Sequence, residues 1–145
     1  MDKPFYRYQI GADALRYTFT SEGPRPVTKL VVYAETDHAG LFNLSLADVG
    51  ADGQPDYLSV RNNGDLERIM ATVAQTLLAF FRHYPDATVV FSGNTPSRIR
   101  LYQAVLAREI RTASTDFSIL GLQDDTLEPL QPNHAYDGFV IFLPS

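Results

Sequence analysis

The chain has 145 residues, 45% of them hydrophobic, with no cysteine, a formal charge of −5 and a pI of about 5.0. That length suits one domain, residues 1–145, burying roughly 70% of the surface its unfolded chain would expose. Without cysteine there are no disulfides, thiolate nucleophiles or thiolate-bound metals, the acidic balance argues against a nucleic-acid partner, and no run of about 18 apolar residues provides a helical membrane span.

The opening MDKPFYRYQI carries early charges and no apolar run, so a soluble, cytoplasmic protein is expected. LRYTFT (Leu15 to Thr20) alternates Leu15, Tyr17 and Phe19 with Arg16, Thr18 and Thr20, the period of a strand with one buried face. SEGPRP interrupts it, because Gly23 and two prolines do not continue a ladder. TKLVVYAE (Thr28 to Glu35) reads as a central strand, and LFNLSLADV alternates Phe42, Leu44 and Leu46 with Asn43, Ser45 and Ala47. Asp52-Gly53 tolerates positive φ and signals a hairpin, with DYLSVR (57–61 and its preceding Asp56) as the returning strand.

The period then lengthens. Leu66, Ile69, Met70, Val73, Leu77, Phe80, Phe81 and Tyr84 recur by threes and fours along one stripe of a long helix, with Asp65 as the expected N-cap and Pro85 as its stop. ATVVFSG follows as a strand whose Val89, Val90 and Phe91 read as buried on both faces. Thr95 caps a second predicted helix with Pro96 at its first position, and Ile99, Tyr102, Leu106 and Ile110 share its inner face. DFSILGL and GFVIFL close the chain as two strands, joined by a loop around QDDTLEPLQPNHAYD. The predicted class is α+β (mixed α/β): a largely antiparallel sheet with two main helices in the order β-β-β-β-α-β-α-β-β. The strand-helix-strand step from Leu58 to Ser92 should be a right-handed parallel crossover.

Five stretches carry a resemblance over nearly the whole chain: SEGP at Ser21 to Pro24, NNGD at Asn62 to Asp65, ATVAQTLLAF at Ala71 to Phe80, the YP at Tyr84 and Pro85, and SGNTPSRIRLY at Ser92 to Tyr102. In order and spacing the chain resembles an uncharacterised family of small bacterial proteins, mainly from Bacteroidota. That resemblance implies no activity. A weaker, fold-level resemblance runs to the GCN5-related acetyltransferases, whose second half has the same element order. Asn94, Arg98, Arg100, Leu101 and Tyr102 are similar to their segment entering the last helix. It implies an acetyltransferase-like scaffold, acetyl-CoA as cofactor and Tyr102 as general acid. Their glycine-rich pyrophosphate loop is replaced here by RNNGDLER, with the single glycine Gly64 and a like-charged Asp65.

The candidate sites are two loops that open helices. Gly93, Asn94, Thr95, Ser97 and Arg98 combine close backbone approach, hydroxyls, free amides and a cation, the parts of a phosphate or carboxylate site. Arg98 and Arg100 lie roughly 200° apart on a helix, so only one of them faces such an anion. Asn62, Asn63 and Gly64 form the second loop, which shares the rim of the sheet with the first if the crossover is parallel. Capping and turn geometry alone also explain both loops. No metal is expected, because His38, His83 and His134 stand apart in sequence. Arg98, Arg100, Arg108 and Arg111 read as a solvated face, and Asp124, Asp125 and Glu128 as a solvated loop. The favoured function is a non-enzymatic binding or interaction protein for a small anionic ligand or a protein partner, with no cofactor. The alternatives are an acyl-CoA-dependent N-acyltransferase and a component of a toxin-antitoxin-like two-gene module. GFVIFL is either an inner strand or an edge that pairs with a second copy as a homodimer.

Overall fold

The computed structural model describes residues 5–56, 65–92, 105–112, 116–131, 134 and 136–144. The strands are β1 (Gln9–Ile10), β2 (Arg16–Glu22), β3 (Pro26–Glu35), β4 (Leu41–Val49), β5 (Pro55–Asp56), β6 (Thr88–Ser92), β7 (Ser118–Gln123), β8 (Thr126–Pro129) and β9 (Gly138–Phe142). Helix α1 (Leu66–His83) lies between β5 and β6, and residues 105–112 are helical, here α2. One sheet of nine strands runs β1-β2-β3-β4-β6-β9-β7-β8, with β5 paired on β4. The class is α+β, as the periodicities predict.

The β2–β3 hairpin follows from the alternation: Tyr17 pairs with Val31 and Phe19 with Lys29, so Tyr17, Phe19, Val31 and Tyr33 are buried on one face. Pro26 is tolerated because it is the first residue of its strand. The Asp52-Gly53 turn forms as expected, with Gly53 at φ 79°, and returns the chain as β5 opposite Asp48 and Val49. The rest of the expected returning strand, 57–61, lies outside the described residues. A parallel pair is present between β4 and β6, with Leu41 opposite Thr88 and Leu44 opposite Phe91. It is not between β6 and the strand that precedes α1, because β5 runs antiparallel to β4 and so to β6; residues 58–64 of the expected step lie outside the described residues.

Helix α1 lays its predicted stripe on the sheet. Phe80, fully buried, stacks on Tyr33 at 4.3 Å between ring centroids and meets Phe42 edge-on at 5.1 Å. The aromatic pairing adds about 0.5–1.5 kcal/mol per contact to the area buried. Thr72 and Thr76 are buried as well, beyond the apolar stripe. Thr76 Oγ1 hydrogen bonds to Tyr33 Oη at 2.7 Å, and both it and Thr72 donate to helix carbonyls, which satisfies their hydroxyls.

Three expectations are corrected and one open alternative is decided. Val90 is only half-buried while Val89 and Phe91 are buried; β6 alternates because the large core gathers on the α1 face. The loop expected around 123–137 instead contains a hairpin, β7–β8, in which Asp124 and Asp125 take φ 51° and 62°, the two positive values a two-residue turn needs. Strand β9 pairs with both β6 and β7, so GFVIFL is an inner strand and not an edge. Asp65 stands at the N-cap position of α1 but makes no side-chain cap hydrogen bond; its carboxylate is taken by Tyr6 and Ser21.

Candidate functional site

Strands β2, β4 and β6 end on one side of the sheet, where α1 begins, since β2 and β4 both run antiparallel to β3 and β6 runs parallel to β4. On that rim the inward face of β2 turns polar at Ser21, which is fully buried. Ser21 Oγ donates to Asp65 Oδ2 at 2.6 Å, and Tyr6 Oη donates to the same oxygen. Tyr6 Oη also accepts the Glu22 amide at 3.0 Å, and the Tyr6 amide donates to Thr72 Oγ1 at 2.8 Å. Tyr6 is 4% exposed, and its ring stacks on Phe19 at 5.7 Å. Burial first, and then its bond to the Asp65 carboxylate, push the Tyr6 phenol above its ordinary value.

These bonds set the path of the N-terminal segment. Gln9 and Ile10 pair with Thr18 and Tyr17 at the outer edge of β2, after which the segment toward Phe5 leaves the strand and joins α1. Between the segment and the β2 edge opens a pocket of about 880 Å³, lined by Phe5, Arg7, Tyr8, Thr18, Thr20 and Arg68 among others.

Arg68 is the cation placed for chemistry there. Its Cζ sits 3.9 Å from the centroid of the Tyr6 ring, an attraction of about 0.5–1 kcal/mol at a partly exposed site. Its nearest carboxylate, Glu22, is 3.9 Å away from Nη1, too far for a hydrogen bond. The Nε of Arg68 and the Oδ1 of Asp65 are buried with no hydrogen-bond partner among the described residues, and each such unmet group costs about 1–3 kcal/mol. A few residues along the same face, Lys29 Nζ and Asp48 Oδ1 form a buried ion pair at 2.5 Å, and Lys29 lies opposite Phe19.

A second polar cluster lies at the far end of the rim. Tyr136 Oη donates to Glu128 Oε1 at 2.9 Å and accepts the Gln131 amide at 3.0 Å. His134 Nε2 is 2.6 Å from Gln123 Oε1 and 3.7 Å from Glu128 Oε1. Glu128, expected as a solvated loop residue, and His134, separate in sequence, are therefore drawn together by the β7–β8 hairpin. His83 lies in the last turn of α1, with Nδ1 3.1 Å from the Ala79 carbonyl. Arg108 and Arg111 are exposed, Arg108 reaching Glu67 at 3.2 Å.

The sequence-predicted site residues Asn62, Asn63, Gly64, Gly93, Asn94, Thr95, Ser97 and Arg98, together with Arg100 and Tyr102, lie outside the described residues. Tyr6, Ser21, Asp65 and Arg68 were not read from the sequence as a site. Two local signals were present: the aromatic and cationic run Phe5-Tyr6-Arg7-Tyr8, and Asp65 with Arg68 one helical turn apart.

A family profile, described as a family of unknown function (DUF6934), matches residues 2–143, and the chain belongs to that family. No curated protein and no solved structure matches it.

Proposed function

We propose that this member of the family of unknown function is a non-enzymatic, cytoplasmic binding protein that takes an anionic group in the pocket beside Arg68. The observation that carries this reading is the state of Arg68: its guanidinium carbon lies over the Tyr6 ring, 3.9 Å from the centroid, and its buried Nε has no acceptor among the described residues. A guanidinium offers five donors in a planar fork that matches a carboxylate or phosphate. Contact with a buried ring restrains the fork before the ligand arrives, so less entropy is lost on binding. An incoming anion would replace the 3.9 Å approach of Glu22, whose carboxylate is 66% exposed and free to turn to solvent. The pocket volume of about 880 Å³ falls within the range of small-molecule sites.

The test is a thermal-shift panel of acetate, succinate, citrate, inorganic phosphate, nucleotides and acetyl-CoA, run on the wild type and on Arg68→Ala. The expected result is stabilisation by at least one anion, about 2.7 kcal/mol at a concentration of 100 Kd, and its loss in the variant. Equal stabilisation of both proteins, or none of either, overturns the reading.

A further inference from the structure

The backbone of β2 turns alternate groups toward and away from β3. Leu15 accepts the Tyr33 amide at 2.8 Å, which sets odd-numbered residues toward β3. The Arg16 carbonyl accepts the Gly11 amide at 2.8 Å, and the Glu22 amide donates to Tyr6 Oη at 3.0 Å, so even-numbered residues face outward. Of these, Thr18 is paired with Gln9, and the Glu22 amide is covered by Tyr6. Thr20 lies between them. Continuing the Gln9–Thr18 register would set Arg7 opposite Thr20, but the pairing stops at Gln9, because the segment has turned to bond α1 through the Tyr6 amide. Thr20 therefore presents its N–H and C=O to the pocket, which it lines.

An unpaired strand edge beside an open groove is the arrangement that takes up an extended chain. The charged residues that line the groove are Arg7, Arg68 and Glu22, a net positive patch on a molecule whose formal charge is −5. Acidic chains are repelled by the molecule as a whole and favoured at this patch.

We infer that the β2 edge at Thr20 pairs with an extended, acidic peptide segment of a partner protein, whose main chain bonds Thr20 while one of its carboxylates reaches Arg68. The inference rests on the anion-binding reading above and names the partner. Main-chain pairing supplies affinity, and the carboxylate on Arg68 selects the partner and its register. The threonine side chains Thr18, Thr20 and Thr28 on the pocket wall suit an alternating segment with small or polar residues facing them.

The test uses an array of short, capped peptides with alternating Val and Thr and one Glu stepped through every position, measured by fluorescence polarisation up to about 1 mM. The expected result is binding of a subset, weakened at least about tenfold when Glu is replaced by Gln. N-methylation should weaken it similarly at one amide only, the one that donates to the Thr20 carbonyl, because the neighbouring outward groups at Thr18 and Glu22 are already taken. Arg68→Ala should abolish the difference between Glu and Gln peptides, with the fold checked by circular dichroism. Thr20→Pro removes the outward N–H at an edge position and should weaken every peptide alike. The inference is overturned if no peptide binds, if N-methylation is without effect at all positions, or if Glu and Gln peptides bind equally. It is also overturned if light scattering shows that the edge is occupied by a second copy of the chain. Small carboxylates that still stabilise the wild type and not Arg68→Ala would then leave the anion site standing without a peptide partner.

Discussion

Two tyrosines on the same rim make matching pairs of bonds, to which Tyr136 adds a longer one of 3.4 Å to the Pro129 carbonyl, and leave different surroundings. Tyr6 Oη donates to Asp65 and accepts the Glu22 amide; Tyr136 Oη donates to Glu128 and accepts the Gln131 amide. Each fastens a segment that lies outside the central strands. Around Tyr136 the space is filled: its ring lies against Gly121, where any Cβ would overlap it. Around Tyr6 the space is open, with about 880 Å³ beside it, and two neighbouring groups, Arg68 Nε and Asp65 Oδ1, lack partners among the described residues. Matching pairs of bonds thus make a clasp at one end and a candidate site at the other. The difference lies in what the surrounding packing leaves unsatisfied.

The largest expected effect is alkaline, and it bears on the core that both tyrosines border. Burial pushes the phenols of Tyr17 and Tyr33 well up, and those of Tyr6 and Tyr8 upward. Their folded values exceed the ordinary value of about 10, so the folded state holds these protons more tightly. That contribution to stability is complete below pH about 10 and is lost as pH rises from there toward the folded values. Urea midpoints should fall steeply above pH about 10, and tyrosinate absorbance from the buried phenols should appear only together with unfolding. If all eight tyrosines ionise while circular dichroism remains native, the burial argument fails.

Next comes the filled end. Gly121→Ala drives a methyl group into the Tyr136 ring and should cost about 3 kcal/mol, the upper end of the overpacking range. Denaturant titration reads it, and the double variant Gly121→Ala, Tyr136→Leu should recover part of the loss. A substitution without cost would show that the clasp is looser than its geometry. Removing the hydroxyls ranks lower. Tyr6→Phe takes one donor from Asp65, which already has an unmet oxygen, and uncovers the Glu22 amide; about 2 kcal/mol is expected. Tyr136→Phe should shift the midpoint less, because Glu128, with a side chain 34% exposed, is rehydrated. Equal losses would erase the distinction between the two ends. The smallest effect on stability belongs to Arg68→Ala, below about 1 kcal/mol for a partly exposed cation over a ring, although it should remove anion binding.

Local periodicity made much of the fold legible. Alternation at Tyr17 and Phe19 and at Phe42, Leu44 and Leu46 identified strands, and the threes and fours from Leu66 to Tyr84 identified α1, because a buried face repeats at the period of its own backbone. Asp52-Gly53 marked its turn for the same local reason. The short strand β8 escaped, since TLEP has the exposed Thr126, the half-exposed Glu128, a proline and one exposed Leu127, and its pairing partner is what makes it a strand. The site was legible only as fragments. Asp65 reads locally as a helix cap, and nothing near it in sequence competes for its carboxylate.

The amino-acid sequence by itself determined the class and the apolar face of β2, β4 and α1. These depend on side-chain spacing within a few residues. Only the tertiary structure decided the sheet order, with the final strand β9 between β6 and β7, and the use of Asp65 by Tyr6 and Ser21, 59 and 44 residues away. Such contacts are set by which long loops close and which apolar faces then fit together, and an aspartate before a helix looks the same in sequence whether it caps that helix or holds a distant tyrosine beside an open pocket.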